Sequence, residues 1–333
     1  MMIEPILSTV GIGHDYSADF HKLRSTIRAR GGESYVEFVA GLKPRYGIVG
    51  RDICLGYCAL LVTGLLIGLS CGRGWITWTA SLLGAIAIGY WVAYLQLFMH
   101  EAAHYNIARD RKRNDLLANI CVCAIAGQEI ARYRRVHFQH HRALGRPDDT
   151  EQTYTNALTP GFVLKTLAGV RSLEVITRRQ NHLSEDSGHD VGKSFLSPWL
   201  ALTLVLHAGI IGAACYFGSY ALAIAWVAGV GIFFPCFGAL RNLLEHRPSA
   251  APDASSADDH AVTRIFGDDA FSRTFGGAGF NRHLLHHWEP QVSYTNLPDL
   301  ERFLLATPLR EIVEARRTSY WRTLLDLFQW TAA

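Results

Sequence analysis

Charge is scarce in this sequence, and long stretches have none. Of 333 residues only 18% are Asp, Glu, Lys or Arg, against 49% hydrophobic, a balance unusual for a soluble protein of this size. From residue 53 to 72 there are 20 positions without any of the four, from 74 to 99 there are 26, and from 194 to 240 there are 47. About 20 apolar residues at about 1.5 Å rise cross a hydrocarbon core of roughly 30 Å. The first two runs therefore supply one crossing each, and the third supplies two, broken near Tyr216–Tyr220.

Other absences narrow the class further. No basic run carries interleaved aromatics, so the net charge of +3 does not indicate nucleic acid as a partner. The seven cysteines are odd in number and include no Cys-x-x-Cys pair, so they read as packing residues of a reduced protein. No secretory leader is expected ahead of the first run, and no second catalytic domain, low-complexity tract or short repeat is evident.

These features predict an all-α integral membrane protein with one domain over residues 1–333. Four transmembrane helices form two hairpins, 53–99 and 194–240. Residues 1–50, 100–193 and 241–333 make a helical cap. Arg109, Arg111, Lys112, Arg113, Arg132, Arg134, Arg135, Arg142 and Arg146 all lie between the second and third crossings, so the positive-inside rule puts that loop, the cap and both termini in the cytosol. The outward connections are the turn holding Arg73 and the uncharged turn at 216–220. A bacterial inner membrane or the endoplasmic reticulum suits this topology.

Smaller elements follow from local pattern. Phe20, Leu23 and Ile27 share a side of a short helix beginning near Ser17 and stopped at Gly31, lying on the membrane surface or simply solvated. The apolar run 116–127 is too short to span and is expected at the interface or buried in the cap. Residues 248–259, rich in Ala, Ser, Pro and Asp, read as a mobile surface loop. Thr307 as N-cap and Pro308 at the first helical position open an amphipathic helix carrying Leu309, Ile312, Val313, Tyr320, Leu324 and Phe328.

What is abundant is histidine in a fixed spacing. His137, His140 and His141 form His-x-x-His-His, and His283, His286 and His287 repeat it. Before them stands HEAAH, with His100 and His104 four residues apart at the end of the second crossing. On a helix, positions i, i+3 and i+4 cover an arc of about 100°, so each triplet can aim its imidazoles at one region. Asn242 and His246 follow the last crossing. Neutral imidazole binds iron, zinc, copper or nickel. A single ion takes about four to six ligands, so nine histidines indicate two ions. His14, His21, His182, His189, His207 and His260 have no such partners and are assigned to solvent, packing or local hydrogen bonds.

HEAAH, HFQHH and HLLHH, in this order and separated by a membrane hairpin, closely resemble the three histidine boxes of the membrane fatty acid desaturase and hydroxylase superfamily. The resemblance runs from about Trp75 to Leu305 and includes Pro290, Tyr294 and Pro298 after the last triplet. It implies a di-iron centre held by His100, His104, His137, His140, His141, His283, His286 and His287. It also implies His246 as a further ligand and Asn242 as one acting through a water, or else as a backbone cap. Molecular oxygen would be the co-substrate and a lipid or fatty acyl chain the substrate. Electrons are expected from a separate carrier of the ferredoxin, rubredoxin or cytochrome b5 type with its reductase.

Desaturation is the expected reaction. Hydroxylation or ketolation of a lipid or carotenoid, and oxidative decarboxylation of a fatty acid, would use the same ligands. Tyr90, Trp91, Tyr94 and Phe98 share the helix face leading to His100, and would line a substrate passage or simply pack. A rival of another class reads HEAAH as the His-Glu-x-x-His of an intramembrane zinc protease, with Glu101 activating water. That leaves both triplets and His246 without a task. In the oxidoreductase reading Glu101 supports a ligand, by accepting from an imidazole or pairing with an arginine such as Arg134.

Overall fold

The computed structural model describes residues 17–170, 174, 197–249 and 261–329. The elements in order are α1 (Ser17–Leu23), α2 (Tyr35–Gly41), α3 (Tyr46–Ser70), α4 (Trp75–Ala103), α5 (Arg111–Ala118), α6 (Ile130–Ala143), α7 (Pro160–Leu167), α8 (Pro198–Tyr216) and α9 (Tyr220–His246). After these come α10 (Ala270–Phe275), α11 (His283–Trp288), α12 (Leu297–Leu305), α13 (Arg310–Ala315) and α14 (Tyr320–Leu327). Among the described residues there is no strand, only three isolated β-bridges. His14, His182, His189, His260 and nearly all of the expected loop at 248–259 lie outside the described residues.

Four helices, α3, α4, α8 and α9, are long and apolar enough to cross a membrane. Their starts have local causes. Ser197 Oγ accepts the Leu200 N–H with Pro198 at the first helical position of α8, where a missing N–H costs nothing. The chain divides into two compact units, one of residues 1–49, 139–158 and 241–329, the other of 50–138, 159–240 and 330–333.

The second unit holds most of the four long helices. Of these α4 is the most enclosed, with 61% of its apolar window buried against 11–28% for the rest. Small residues allow this. A Cβ on Gly89 would come 2.4 Å from Phe233 Cβ, and one on Gly229 would come 2.7 Å from Ile88 Cγ2, so α4 and α9 meet nearly backbone to backbone, as small residues permit where lipid offers no hydrophobic drive between helices. The turns at 71–74 and 217–219 lie together, with Cys71 Sγ 3.3 Å from Ser219 Oγ and Ser81 Oγ donating to the Ala221 carbonyl at 2.8 Å. The run 116–127 becomes the end of α5, a π-helical turn (Asn119–Cys123) and a stop at Gly127 in the left-handed region. It packs on α4 and α8, with Leu116, Leu117 and Ile120 exposed. All seven cysteines are free thiols.

The first unit departs from the expected elements twice. Helix α1 ends at Leu23 rather than Gly31, because the chain turns so that Ile27 and Phe20 both enter the core around Trp288; Phe20 stacks on Trp288 at 4.6 Å and meets Tyr35 edge-on at 5.4 Å. Helix α2 then starts from a capping box, in which Ser34 Oγ accepts the Glu37 N–H and bonds the Glu37 carboxylate. At the C-terminus the single amphipathic helix is two helices, α13 and α14. Thr307 is not its N-cap; Thr307 Oγ1 donates to the Leu304 carbonyl and Leu309 precedes α13. The break at 316–319 lets the chain pair with Ile265, whose N–H donates to Arg316 O at 3.0 Å while its carbonyl accepts from Thr318 N at 2.8 Å.

Candidate metal centre

In the first unit, His140, His246, His283 and His287 bring one ring nitrogen each to within 4.8 Å of one another, all buried. His140 comes from α6, His246 from the last position of α9, and His283 and His287 from successive turns of α11. His246 Nε2 lies 2.9 Å from His283 Nε2, which lies 3.2 Å from His287 Nε2.

The second nitrogen of two of these rings decides what the first can do. His246 Nδ1 is 3.1 Å from the Val262 carbonyl, which only accepts, so the proton sits on Nδ1 and Nε2 presents a lone pair. His140 Nδ1 is 2.8 Å from Asp149 Oδ1, while Asp149 Oδ2 accepts from Tyr154 OH at 2.5 Å and Tyr154 OH accepts the Gly145 N–H at 2.8 Å. Burial works against the His140 cation, but the Asp149 charge and hydrogen bond outweigh it and lift its pKa to about 9. Without metal the carboxylate thus favours an imidazolium; a bound cation takes the place of the second proton at Nε2. A carboxylate behind a ligating imidazole fixes the ring and raises its basicity. Burial and the neighbouring imidazoles push the His283 pKa well below its usual value, so that ring stays neutral. Adjacent ligands about 2.1 Å from one ion stand about 3 Å apart at right angles, the spacing of these nitrogens. The donor set fits a cation.

His141 and His286, also in this unit, form a pair with Nε2 atoms 2.9 Å apart. Asn242 Oδ1 accepts the Tyr154 N–H at 3.0 Å, so its oxygen serves the backbone, and Arg247 Nη1 donates to the Tyr154 and Thr155 carbonyls.

The second unit holds a buried trio, His100, His104 and His137, whose ligand atoms also lie within 4.8 Å of one another. His104 Nε2 is 3.0 Å from His137 Nε2. Burial, then the positive charge of Arg134, depresses the His104 pKa to about 3, so it too offers a neutral ring. The end of α4 is held without a glycine: Tyr105 adopts φ 61°, a left-handed conformation costing roughly 1–2 kcal/mol outside glycine. Arg134 lies over the Tyr105 ring at 4.1 Å and donates to the Ala102 and Ala103 carbonyls. The Arg134 ion pair is with Asp115, 2.5 Å away, and Glu101 is buried.

Tyr90, Trp91, Tyr94 and Phe98 touch edge to face in sequence, and Tyr94 OH donates to the Asp52 carbonyl at 3.0 Å. His207 accepts from Trp226 Nε1 at 3.0 Å, the local hydrogen bond expected of it, and His21 is exposed. Sequence reading missed Asp149, Tyr154 and Val262. The only trace of the first is its place in an acidic pair, Asp148 and Asp149, soon after a basic box.

A family model described as Fatty acid desaturase matches residues 76–322, roughly three-quarters of the chain. No curated protein matches it.

Proposed function

The chain belongs to the fatty acid desaturase family, and from that premise we propose that it uses two iron ions and molecular oxygen to remove hydrogen from the acyl chain of a lipid. The observation that carries the reading is the buried four-histidine group, in which Asp149 and the Val262 carbonyl engage the Nδ1 atoms of His140 and His246. An unactivated methylene has no usable pKa, so acid–base side chains cannot take its hydrogen; the iron pair, when bound, would supply the activated oxidant. The chain's own task is to hold the ions, place one carbon against them and exclude water.

The ligands in this reading are His140, His246, His283 and His287 for one ion, and His100, His104 and His137 for the other. An ion takes about four to six donors, so His141 and His286 are assigned as ligands too, and Asn242 through a water. Glu101 is given a supporting role, and electrons come from a separate ferredoxin, rubredoxin or cytochrome b5. The histidines face the cytosol, and Arg73 lies on the opposite side. A reporter cysteine replacing Arg73, in a background without reactive thiols, then labels from outside intact cells; labelling only after permeabilisation overturns that topology.

Lipid and hydrocarbon profiling of cells expressing the wild type against His140→Ala, with iron analysis of both purified proteins, tests the reaction. A new double bond dependent on His140 is the expected product. A hydroxylated, ketolated or chain-shortened product would keep the metal assignment and replace the reaction; active protein holding zinc alone would sink the iron reading.

A further inference from the structure

We infer that Arg264 is a positioning residue for the four-histidine group, and that the extended segment 261–267 is the template on which His246 and the last histidine box are set relative to each other. The inference rests on the metal reading above.

The end of α9 makes the case. The last four carbonyls of a helix lack intrahelical partners, and here they belong to residues 243–246, the last of which is a ligand. The Leu243 carbonyl accepts from Arg247 N at 2.9 Å. Those of Leu244 and Glu245 accept from Arg264 Nη1 at 2.9 and 3.3 Å, and that of His246 accepts from Val262 N at 2.9 Å. Arg264 Nη2 adds the Arg247 carbonyl at 2.5 Å. Every carbonyl of that helix end is therefore closed, three of the four by Arg264 and its near neighbour Val262. A guanidinium at a helix C-terminus also meets the negative end of the dipole, and its planar fork can reach several acceptors where an ammonium acts as a point charge.

The same segment turns its backbone to the other ligands. The Arg264 carbonyl accepts the Leu284 N–H at 3.1 Å, in the first turn of α11, and Phe266 N donates to the Asn281 carbonyl at 2.8 Å. Asn281 Nδ2 returns a bond to the Gly267 carbonyl at 2.7 Å. One residue thus joins by its side chain the helix that ends in His246, and by its backbone the helix that carries His283 and His287. Arg264 is buried, which excludes a solvating role for its charge.

Replacing Arg264 by Leu or Lys in the full chain, purified in detergent, tests this through metal rather than turnover. Iron per chain is measured as isolated, and cobalt(II) is titrated into metal-stripped protein while its visible absorption is followed. We expect Arg264→Leu to fall from about two ions to about one, and Arg264→Lys, which retains the charge but loses the fork, to bind one cobalt about 10- to 100-fold more weakly with an altered spectrum. Arg310→Ala, which removes an exposed ion pair with Glu314, serves as control and keeps both ions. If the Leu variant does not fold, the Lys variant decides. Two cobalt ions bound by Arg264→Lys with wild-type affinity and spectrum overturn the inference, even if its melting temperature falls, since that is the mark of a merely structural residue. Wild-type protein that takes up no second ion would instead sink the two-ion reading, and this is seen before any variant is made.

Discussion

The two histidine groups use the same residue type but are held by different physics. In the first unit the rings are oriented from behind, by a carboxylate on His140 and a backbone carbonyl on His246. In the second unit His100 and His104 ride the end of a membrane helix, and the carbonyls beside them are held by Arg134, with Asp115 pairing that arginine. One group is held through its own imidazoles, the other through the helix that presents them. The same residue type in both groups therefore does not imply the same response to mutation.

The largest expected effect breaks both groups alike. His287→Ala and His104→Ala each remove a donor, and lipid oxidation should fall below detection with a loss of bound iron, read on one preparation by metal analysis and product chromatography. Full activity in either variant would break the two-ion account.

Supporting residues should separate the groups. Asp149→Asn leaves a hydrogen-bond partner but not a charge behind His140, and is expected to cost about 10- to 100-fold in activity or metal affinity; Tyr154→Phe, which removes the donor to Asp149 and the acceptor of the Gly145 N–H but keeps the carboxylate, should cost less. Glu101→Gln should lower iron occupancy and lipid oxidation together and in part. Retention of full metal with a peptide-cleaving activity lost in that variant would move HEAAH to the zinc protease class.

Packing gives a smaller effect on function and a plain one on stability. Phe20→Ala empties the face of Trp288, one residue from His287, and about 3–5 kcal/mol of destabilisation is expected for a buried Phe, measured by thermal unfolding of the purified protein.

The mildest test is pH on metal-free protein. His104 and His283 have depressed folded pKa values, so the stability they contribute is present above about pH 6.5 and declines as the pH falls below it. His140 is raised to about 9, so its contribution is complete below about pH 6.5 and is lost as the pH rises through 9. Melting temperature should therefore fall at both ends. Asp149→Asn should abolish the alkaline decline and leave the acid one.

Much of this was legible in one dimension. A charge-free run long enough to cross a bilayer and a triplet at i, i+3, i+4 are local patterns, and they located the four long helices and the box histidines. His246 was a candidate from its place after the last crossing, and only the family resemblance made it an expected ligand; in the structure its Nε2 stands 2.9 Å from that of His283. The C-terminal helix misled because Val313 and Tyr320 stand seven residues apart, close to two helical turns, while the backbone between them at 316–319 bonds instead to Ile265.

The sequence by itself determined that the chain is helical, apolar enough to span a membrane and rich in paired imidazoles, because those properties follow from composition and from periods of a few residues. Only the tertiary structure decided that Asp149 rather than Asp148 stands behind His140, that the Val262 carbonyl sets the His246 tautomer, and that Arg264 closes the helix ending in that histidine. Each of these is a hydrogen bond between atoms 9 to 20 residues apart, and such a bond depends on where the chain returns, which no spacing within either segment encodes.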